Sequence, residues 1–166
     1  MVEPRNADVR SARGVGRVSG GIILAGGILS ALAYWLLPVA DIPLVGSVTA
    51  PGLIDQLPDS GSFNWLRLVP WTVVLTAVAG LWLLSRSTSK GRSIVALGSL
   101  LCAVVTVIAY LMPLNKVDQA LDSAGADALG IHATSLTGAG FWVALIGAVV
   151  AGVGAVVELA TARARG

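Results

Sequence analysis

The chain has 166 residues, of which 55% are hydrophobic and 12% are charged, with a formal net charge of +2 at pH 7. Its mean hydropathy of +0.83 excludes a soluble globular domain, because too few polar residues remain to cover the apolar surface in water. The small net charge gives no reason to expect nucleic acid as a partner.

Four apolar windows are long enough to cross a bilayer as helices. A helix rises about 1.5 Å per residue, so crossing the hydrocarbon core takes about 20 mostly apolar residues. The windows lie at about residues 18–39, 68–84, 94–112 and 139–159, and they lack the period-two alternation of a transmembrane β-barrel. The sequence therefore predicts an all-α membrane protein. Its four-helix transmembrane bundle occupies 18–160, between a basic N-terminal segment, 1–17, and a tail, 161–166.

The first window has some features of a signal peptide. Four arginines precede it, and Ala31-Leu-Ala33 resembles a signal-peptidase site. However, Tyr34-Trp-Leu-Leu37 continues the apolar run to spanning length, beyond the shorter core typical of signal peptides. We expect an uncleaved transmembrane helix.

The first and third windows end in similar sequences, AYWLLP at 33–38 and AYLMP at 109–113. Proline cannot continue the helical hydrogen-bond pattern, so Pro38 and Pro113 are predicted to stop these helices. A shift of 76 residues also aligns Ser30 with Thr106 and Tyr34 with Tyr110. Two tandem helical hairpins would explain the match, and chance similarity between apolar helices with aromatic ends is the alternative.

Basic residues are distributed unevenly between the two sides of the predicted bundle. Only Arg67 and Lys116, of 11 Lys and Arg, lie in the loops 40–67 and 113–138. Because cytoplasmic loops carry the excess of Lys and Arg, we expect a multi-pass plasma-membrane protein with both termini cytoplasmic and these loops outside. The excess of Arg over Lys and the abundance of Ala, Gly and Val are typical of bacteria with GC-rich genomes.

Both outer loops contain enough apolar residues to be structured. Pro51–Leu57 has the pattern of a short amphipathic turn. In the second loop, Leu114, Val117 and Leu121 recur at spacings of three and four, which predicts a short helix through Asp122. We expect the loops to pack as a cap over the outer end.

Aromatic residues cluster near the predicted outer ends of the helices. They are Tyr34, Trp35, Trp65, Trp71, Tyr110 and Trp142. Trp and Tyr are common at the headgroup layer, so these residues are predicted as interface anchors. A cage that binds a partner or a lipid is the alternative.

Arg67 lies among these aromatics, in the sequence Trp65-Leu-Arg-Leu-Val-Pro-Trp71. Its guanidinium could bind a lipid phosphate or an anionic partner. Pairing with Asp41 or Asp59 is a further possibility.

Small residues recur at four-residue spacing along the fourth window. They are Gly140, Ala144, Ala148 and Gly152. Such spacing lets helix backbones approach closely in lipid. We therefore expect this helix to be central to the bundle or to a partner interface.

Residues that could carry chemistry are few. No ionisable residue lies near the middle of a window, and Glu158, in the last turn of the fourth, is expected to be solvated or paired with Arg163. Cys102 is expected to be a packing residue. His132, with Asp122 and Asp127, lacks the helical spacing of a metal site. We predict no catalytic, cofactor-binding or metal site.

These observations favour a non-enzymatic accessory or scaffold subunit that binds its partner through its outer loops and small-residue helix faces. The alternative is a binder or passive conduit for a lipid or small apolar ligand at the outer leaflet. An enzyme is the third possibility. The expected partners are membrane lipids and another membrane protein or a second copy of the chain, and not nucleic acid.

The orientation can be tested with single cysteines in a Cys102→Ala background. Ser60→Cys and Ser123→Cys should react with an impermeant maleimide in intact cells, whereas Ser89→Cys should react only after permeabilisation, because the basic residues flank position 89. Labelling of position 89 in intact cells would contradict this orientation.

Overall fold

The structure is a computed structural model that describes residues 5–42, 46–56, 63–85, 89–123 and 133–163. Its long helices are α1 (Arg5–Leu36), α3 (Val69–Ser85), α4 (Ser89–Ser123) and α5 (Ala139–Arg163). Four segments are long and apolar enough to cross a membrane: Arg17–Leu36, Trp65–Ser85, Gly91–Ser123 and Ala139–Arg163. The predicted all-α membrane bundle is confirmed at this level.

The four long helices pack in a ring. α1 contacts α3 and α5, and α4 contacts the same two helices from the opposite side. We call the end that holds residues 38–42, 46–56, 63–68 and 133–138 the loop end, and the end where α3 stops at Ser85 and α4 begins at Ser89 the terminal end. Large apolar side chains on the outside of the ring remain exposed, among them Leu75, Leu101 and Ile146, as expected for surfaces that face lipid.

Positions related by the 76-residue shift have matching environments. Tyr34 and Tyr110 are both buried, as are the aligned pairs Ser30 with Thr106 and Ala33 with Ala109. Ile28 and Val104 are both exposed, at 46% and 47%. Aligned residues therefore face corresponding sides of α1 and α4, while the tandem hairpin repeat stays a prediction.

The two prolines expected to stop helices act differently. α1 ends at Leu36, just before Pro38, as predicted. Pro113 instead lies inside α4, which continues to Ser123, so the prediction that it ends the helix is wrong. Proline removes one backbone hydrogen bond, and neighbouring helices in a membrane bundle can compensate for that loss. The short helix predicted through Asp122 exists, but it is a direct continuation of α4.

The loop end contains a small β-hairpin that the sequence did not predict. Strands β1 (Pro38–Ile42) and β2 (Gly46–Thr49) pair antiparallel, and Gly46 adopts a φ of 94° that suits glycine. α2 (Ala50–Gln56) follows and corresponds to the predicted turn at 51–57. A 3₁₀ helix, Phe63–Leu68, then leads into α3.

These elements form a cap over the bundle. Val39, Val48, Leu53 and Leu66 are buried in one apolar cluster with residues of the long helices, including Tyr110. The backbone N–H of Gly138 donates to the carbonyl of Val39 at 2.9 Å, which fixes β1 to the start of α5. The cap is therefore packed onto the helices rather than solvated as a linker.

The backbones of α1 and α5 approach closely at Gly26 and Gly147. A Cβ atom at Gly147 would lie 2.5 Å from the Ser30 hydroxyl oxygen and 2.8 Å from the Gly26 carbonyl oxygen. A Cβ at Gly26 would lie 2.5 Å from the Gly147 carbonyl oxygen. Only glycine allows this backbone contact, which also lets Ser30 donate to the Ala144 carbonyl at 3.0 Å.

The residues of the predicted small-residue stripe on α5 differ in burial and in how closely they contact neighbouring segments. Gly140, Ala144 and Ala148 are buried, and a Cβ at Gly140 would lie 2.7 Å from the Pro38 carbonyl oxygen. Gly152 is only half-buried, and a Cβ there would meet ordinary contacts at 3.7 Å and beyond. Gly147, one residue before Ala148, makes the close contact with α1 described above, which is tighter than the contacts of Gly152.

Gly147→Ala should lower the free energy of unfolding by about 1–3 kcal/mol, because the added methyl forces two backbones apart. The matched control is Gly98→Ala, since no atom lies within 4 Å of a Cβ built there. The control should be neutral or stabilising by about 0.5–1 kcal/mol, because alanine favours helix. Chemical unfolding in detergent micelles measures both variants, and equal stability would contradict the close contact.

Candidate functional site

The aromatic residues at the loop end divide into an exposed and a buried group. The four tryptophans, Trp35, Trp65, Trp71 and Trp142, are 38% to 71% exposed. Tyr34 and Tyr110 are 4% and 1% exposed. The exposed rings can anchor the protein at a membrane interface, whereas the two tyrosines lie inside the bundle and cannot act as interface anchors.

A chain of ring contacts links the interior to the surface. Tyr110 packs edge-to-face against Phe141 at a centroid distance of 5.7 Å, and Phe141 packs likewise against Trp142 at 5.3 Å. The Trp142 indole N–H donates to the Thr137 hydroxyl at 3.1 Å. Tyr34 makes a similar edge-to-face contact with Trp35 at 5.1 Å.

Arg67 is exposed on the 3₁₀ helix that precedes α3. Trp65, two residues earlier, and Leu68 are also exposed, at 38% and 44%. Of its two candidate carboxylates, Asp41 is exposed on β1, and Asp59 lies outside the described residues. A guanidinium in this position can bind a carboxylate or phosphate through two parallel hydrogen bonds.

A small cavity lies between the cap and the bundle. Its volume is about 80 Å³, and its lining includes Leu53, Leu66, Tyr110, Leu114 and Leu136. The Tyr110 hydroxyl is buried and has no hydrogen-bond partner among the residues that the structure describes.

A larger open groove of about 450 Å³ runs along the adjoining part of α4. Leu114 lines both the cavity and the groove, which also includes Ile108, Leu111, Asn115 and Asp118. The groove is therefore apolar towards the middle of α4 and polar towards its C-terminal end.

An ion pair occupies the terminal end. The Arg92 Nε donates to Glu158 Oε1 at 2.6 Å, and Arg92 Nη2 donates to Glu158 Oε2 at 3.1 Å. The side chains are only 8% and 0% exposed. Ser19 also donates to Glu158 Oε2, and Arg92 Nη1 donates to the Leu83 carbonyl at 3.1 Å. This one pair therefore links α1, α3, α4 and α5.

The sequence interpretation of Glu158 as solvated or paired with Arg163 is wrong. α4 and α5 run antiparallel, so the first turn of α4 lies beside the last turns of α5 and brings Arg92 to Glu158. The sequence did contain a hint of this pairing. Glu158 is the only acidic residue in the four apolar windows, and a charge inside a membrane segment requires a partner.

The remaining candidates for chemistry form no metal site within the part of the chain that the structure describes. Cys102 is half-buried with a free thiol. His132 and Asp127 lie outside the described residues. Within the described ranges, no group of three or more His, Cys, Asp or Glu could hold a metal ion.

Comparison with family models, with curated proteins and with solved structures finds no match to this chain. Its function is therefore argued from its own residues.

Glu158→Gln should lower the free energy of unfolding by about 3 kcal/mol, because it leaves the Arg92 guanidinium buried without a counter-charge. Replacing both residues, as Arg92→Met with Glu158→Leu, should restore part of the loss, since no buried charge remains. Arg163→Ala, at an exposed position, is the control and should change stability by less than about 0.5 kcal/mol. Unfolding in detergent measures all three, and equal values for Glu158→Gln and Arg163→Ala would contradict the buried pair.

Proposed function

We propose that this protein is a non-enzymatic accessory or scaffold subunit of the plasma membrane that binds another membrane protein through its loop end. The observation that carries the proposal is the exposed arginine, Arg67, which lies in the sequence between two tryptophans, Trp65 and Trp71, whose side chains are also exposed. Arg and Trp are the residue types most enriched at binding hot spots. In the proposed orientation, with both termini cytoplasmic, this surface lies at the outer leaflet.

The exposed side of α3 extends the same surface into the membrane. Only 28% of the apolar window in Trp65–Ser85 is buried, compared with 44% for Arg17–Leu36. Trp71, Val74, Leu75 and Val78 are each 48% to 71% exposed, at the spacing of one helix face. We place the partner against this side of α3.

The small-residue stripe on α5 is a weaker candidate for this interface. Gly140, Ala144 and Ala148 are buried within the chain itself, so a partner could reach them only if the bundle opened. Recognition through the loop end and α3 needs no such rearrangement.

A second candidate function is binding of a lipid or small apolar ligand at the outer leaflet. The specific observation that favours it is the cavity beneath the cap, whose lining includes the buried Tyr110 side chain. The two functions are compatible, because the cavity and the exposed side of α3 use different residues.

Arg67→Ala should reduce copurification of the partner from native membranes by more than tenfold, because a desolvated carboxylate of the partner would lose its bidentate donor. Arg67→Lys should retain part of the binding, since an ammonium cannot reproduce the planar fork. Lys116→Ala is the matched control, as it removes the other basic residue of the predicted outer loops.

Quantitative mass spectrometry of copurified proteins, at equal amounts of inserted protein, measures these changes. Unchanged copurification with Arg67→Ala, together with loss on Gly147→Ala, would show that recognition depends on helix packing within the membrane and not on the loop end.

A further inference from the structure

Two exposed arginines at the terminal end take no part in the buried ion pair. Arg17 begins the spanning segment Arg17–Leu36, and Arg163 is the last residue of α5. Neither guanidinium makes a hydrogen bond or an ion pair with another residue that the structure describes. Glu158 is buried and already paired with Arg92, so it offers these arginines no free carboxylate.

Arg17 lies on the lipid-facing side of α1. Steps of three or four residues along a helix stay on one face. Starting from Arg17, such steps reach Gly21, Ala25, Ile28, Leu32 and Trp35. The three large apolar residues of this set are 46% to 49% exposed. Ser19, two residues after Arg17 and therefore on the opposite side of the helix, is buried and donates to Glu158.

Arg163 lies in the same way on the lipid-facing side of α5. Seven residues are close to two full turns of a helix, so residues seven apart lie on one face. Val156 and Val149 precede Arg163 by seven and fourteen residues, and they are 52% and 56% exposed. The two exposed arginines thus extend the sides of α1 and α5 that contact lipid.

The helix that precedes Arg17 continues its basic character. α1 begins at Arg5, and Arg10 and Arg13 precede Arg17 by seven and four residues. These three positions fall within about 60° of the helix circumference, and we call them the basic face of α1. Asp8, two residues before Arg10, falls on the opposite side of the helix. The basic face is therefore in line with the lipid-facing side of α1.

The basic face begins at the depth of the lipid head groups. The polar layer of one leaflet is about 5–8 Å thick, and the rise from Arg17 to Arg13 is about 6 Å. Long arginine side chains extend this reach by snorkelling. A guanidinium binds a phosphate through two parallel hydrogen bonds, and basic residues next to a spanning helix attract anionic lipids.

We propose that the lipid-facing sides of α1 and α5 at the terminal end bind anionic glycerophospholipids. The guanidiniums of Arg17 and Arg163 contact the lipid phosphates, and the exposed apolar residues on the same sides contact the acyl chains. Arg10 and Arg13 extend the contact of Arg17 towards the aqueous phase. A soluble acidic partner fits less well, because both exposed arginines open onto the bilayer. The inference is independent of the partner proposed for the loop end.

The test measures which lipids contact the whole 166-residue chain in nanodiscs of dioleoylphosphatidylcholine. Both leaflets of the disc are identical, so the orientation of the chain does not affect the result. Electron paramagnetic resonance with a trace of spin-labelled phosphatidylglycerol or phosphatidylcholine gives the fraction of each lipid held at the protein surface. The wild-type protein should prefer phosphatidylglycerol at least about twofold. About 1 M KCl, where the Debye length is about 3 Å, should abolish most of this preference.

The variants locate the preference on the lipid-facing side of α1. Arg17→Gln should remove about half of it, and adding Arg163→Gln should remove most of the remainder. Arg17→Lys should retain more of the preference than Arg17→Gln, because the charge is kept while the planar fork is lost. Arg5→Gln is the matched control. It removes the same charge from the same helix about 18 Å from Arg17, beyond the Debye length of about 8 Å in physiological salt, and should change nothing.

Three results would overturn the proposal. The first is equal contact of the two spin-labelled lipids with the wild-type protein. The second is an equal loss of preference in Arg17→Gln and Arg5→Gln, which would show that the net charge of the terminal end attracts the lipid and that the lipid-facing side has no special role. The third is loss of the preference when inorganic phosphate or polyglutamate is added at constant ionic strength, which would show that a soluble anion occupies the site.

Discussion

The buried ion pair between Arg92 and Glu158 is the interaction on which the terminal end of the bundle depends. Removing both charges from water is costly, and their attraction offsets that cost only when the geometry is good and the remaining donors and acceptors are satisfied. Both conditions are met here, because the pair is bidentate and the Ser19 hydroxyl and the Leu83 carbonyl complete it. Each of the four long helices contributes one of these groups. An arrangement that misplaces one helix therefore leaves a buried charge incompletely satisfied.

The loop end is closed by a different kind of interaction. Its cap packs apolar side chains such as Val39, Leu53 and Leu66 against the helices, and apolar packing is less directional than an ion pair. The cavity, the Tyr110 hydroxyl without a partner among the described residues, and the exposed Arg67 all lie at this end. Among the described residues, the buried polar groups of the terminal end are satisfied within the chain, whereas the loop end holds a buried hydroxyl without such a partner and an exposed arginine. This contrast supports the proposal that recognition occurs at the loop end.

The close backbone contact between α1 and α5 lies between the loop end and the terminal end of the bundle. Gly26, at the middle of the spanning segment Arg17–Leu36, meets Gly147 of α5. Close packing of small residues stabilises helix pairs in lipid, where the hydrophobic driving force between helices is missing. The ion pair lies on one side of this contact, and the cap lies on the other. The contact therefore constrains both the position of Glu158 and the position of Phe141, which packs on Tyr110.

The sequence by itself determined the class of the protein and the approximate positions of its four membrane helices, because apolar length and composition decide whether a segment can cross a bilayer. It also located the end of α1 before Pro38 and the short helix α2. Only the tertiary structure decided the partner of Glu158, the continuation of α4 through Pro113, the β-hairpin and the burial of Tyr34 and Tyr110. Each of these depends on which helices are neighbours and how closely they approach. The sequence pattern alone does not reveal which distant segment supplies the partner of a charged residue, compensates for the hydrogen bond lost at a proline, or buries a tyrosine.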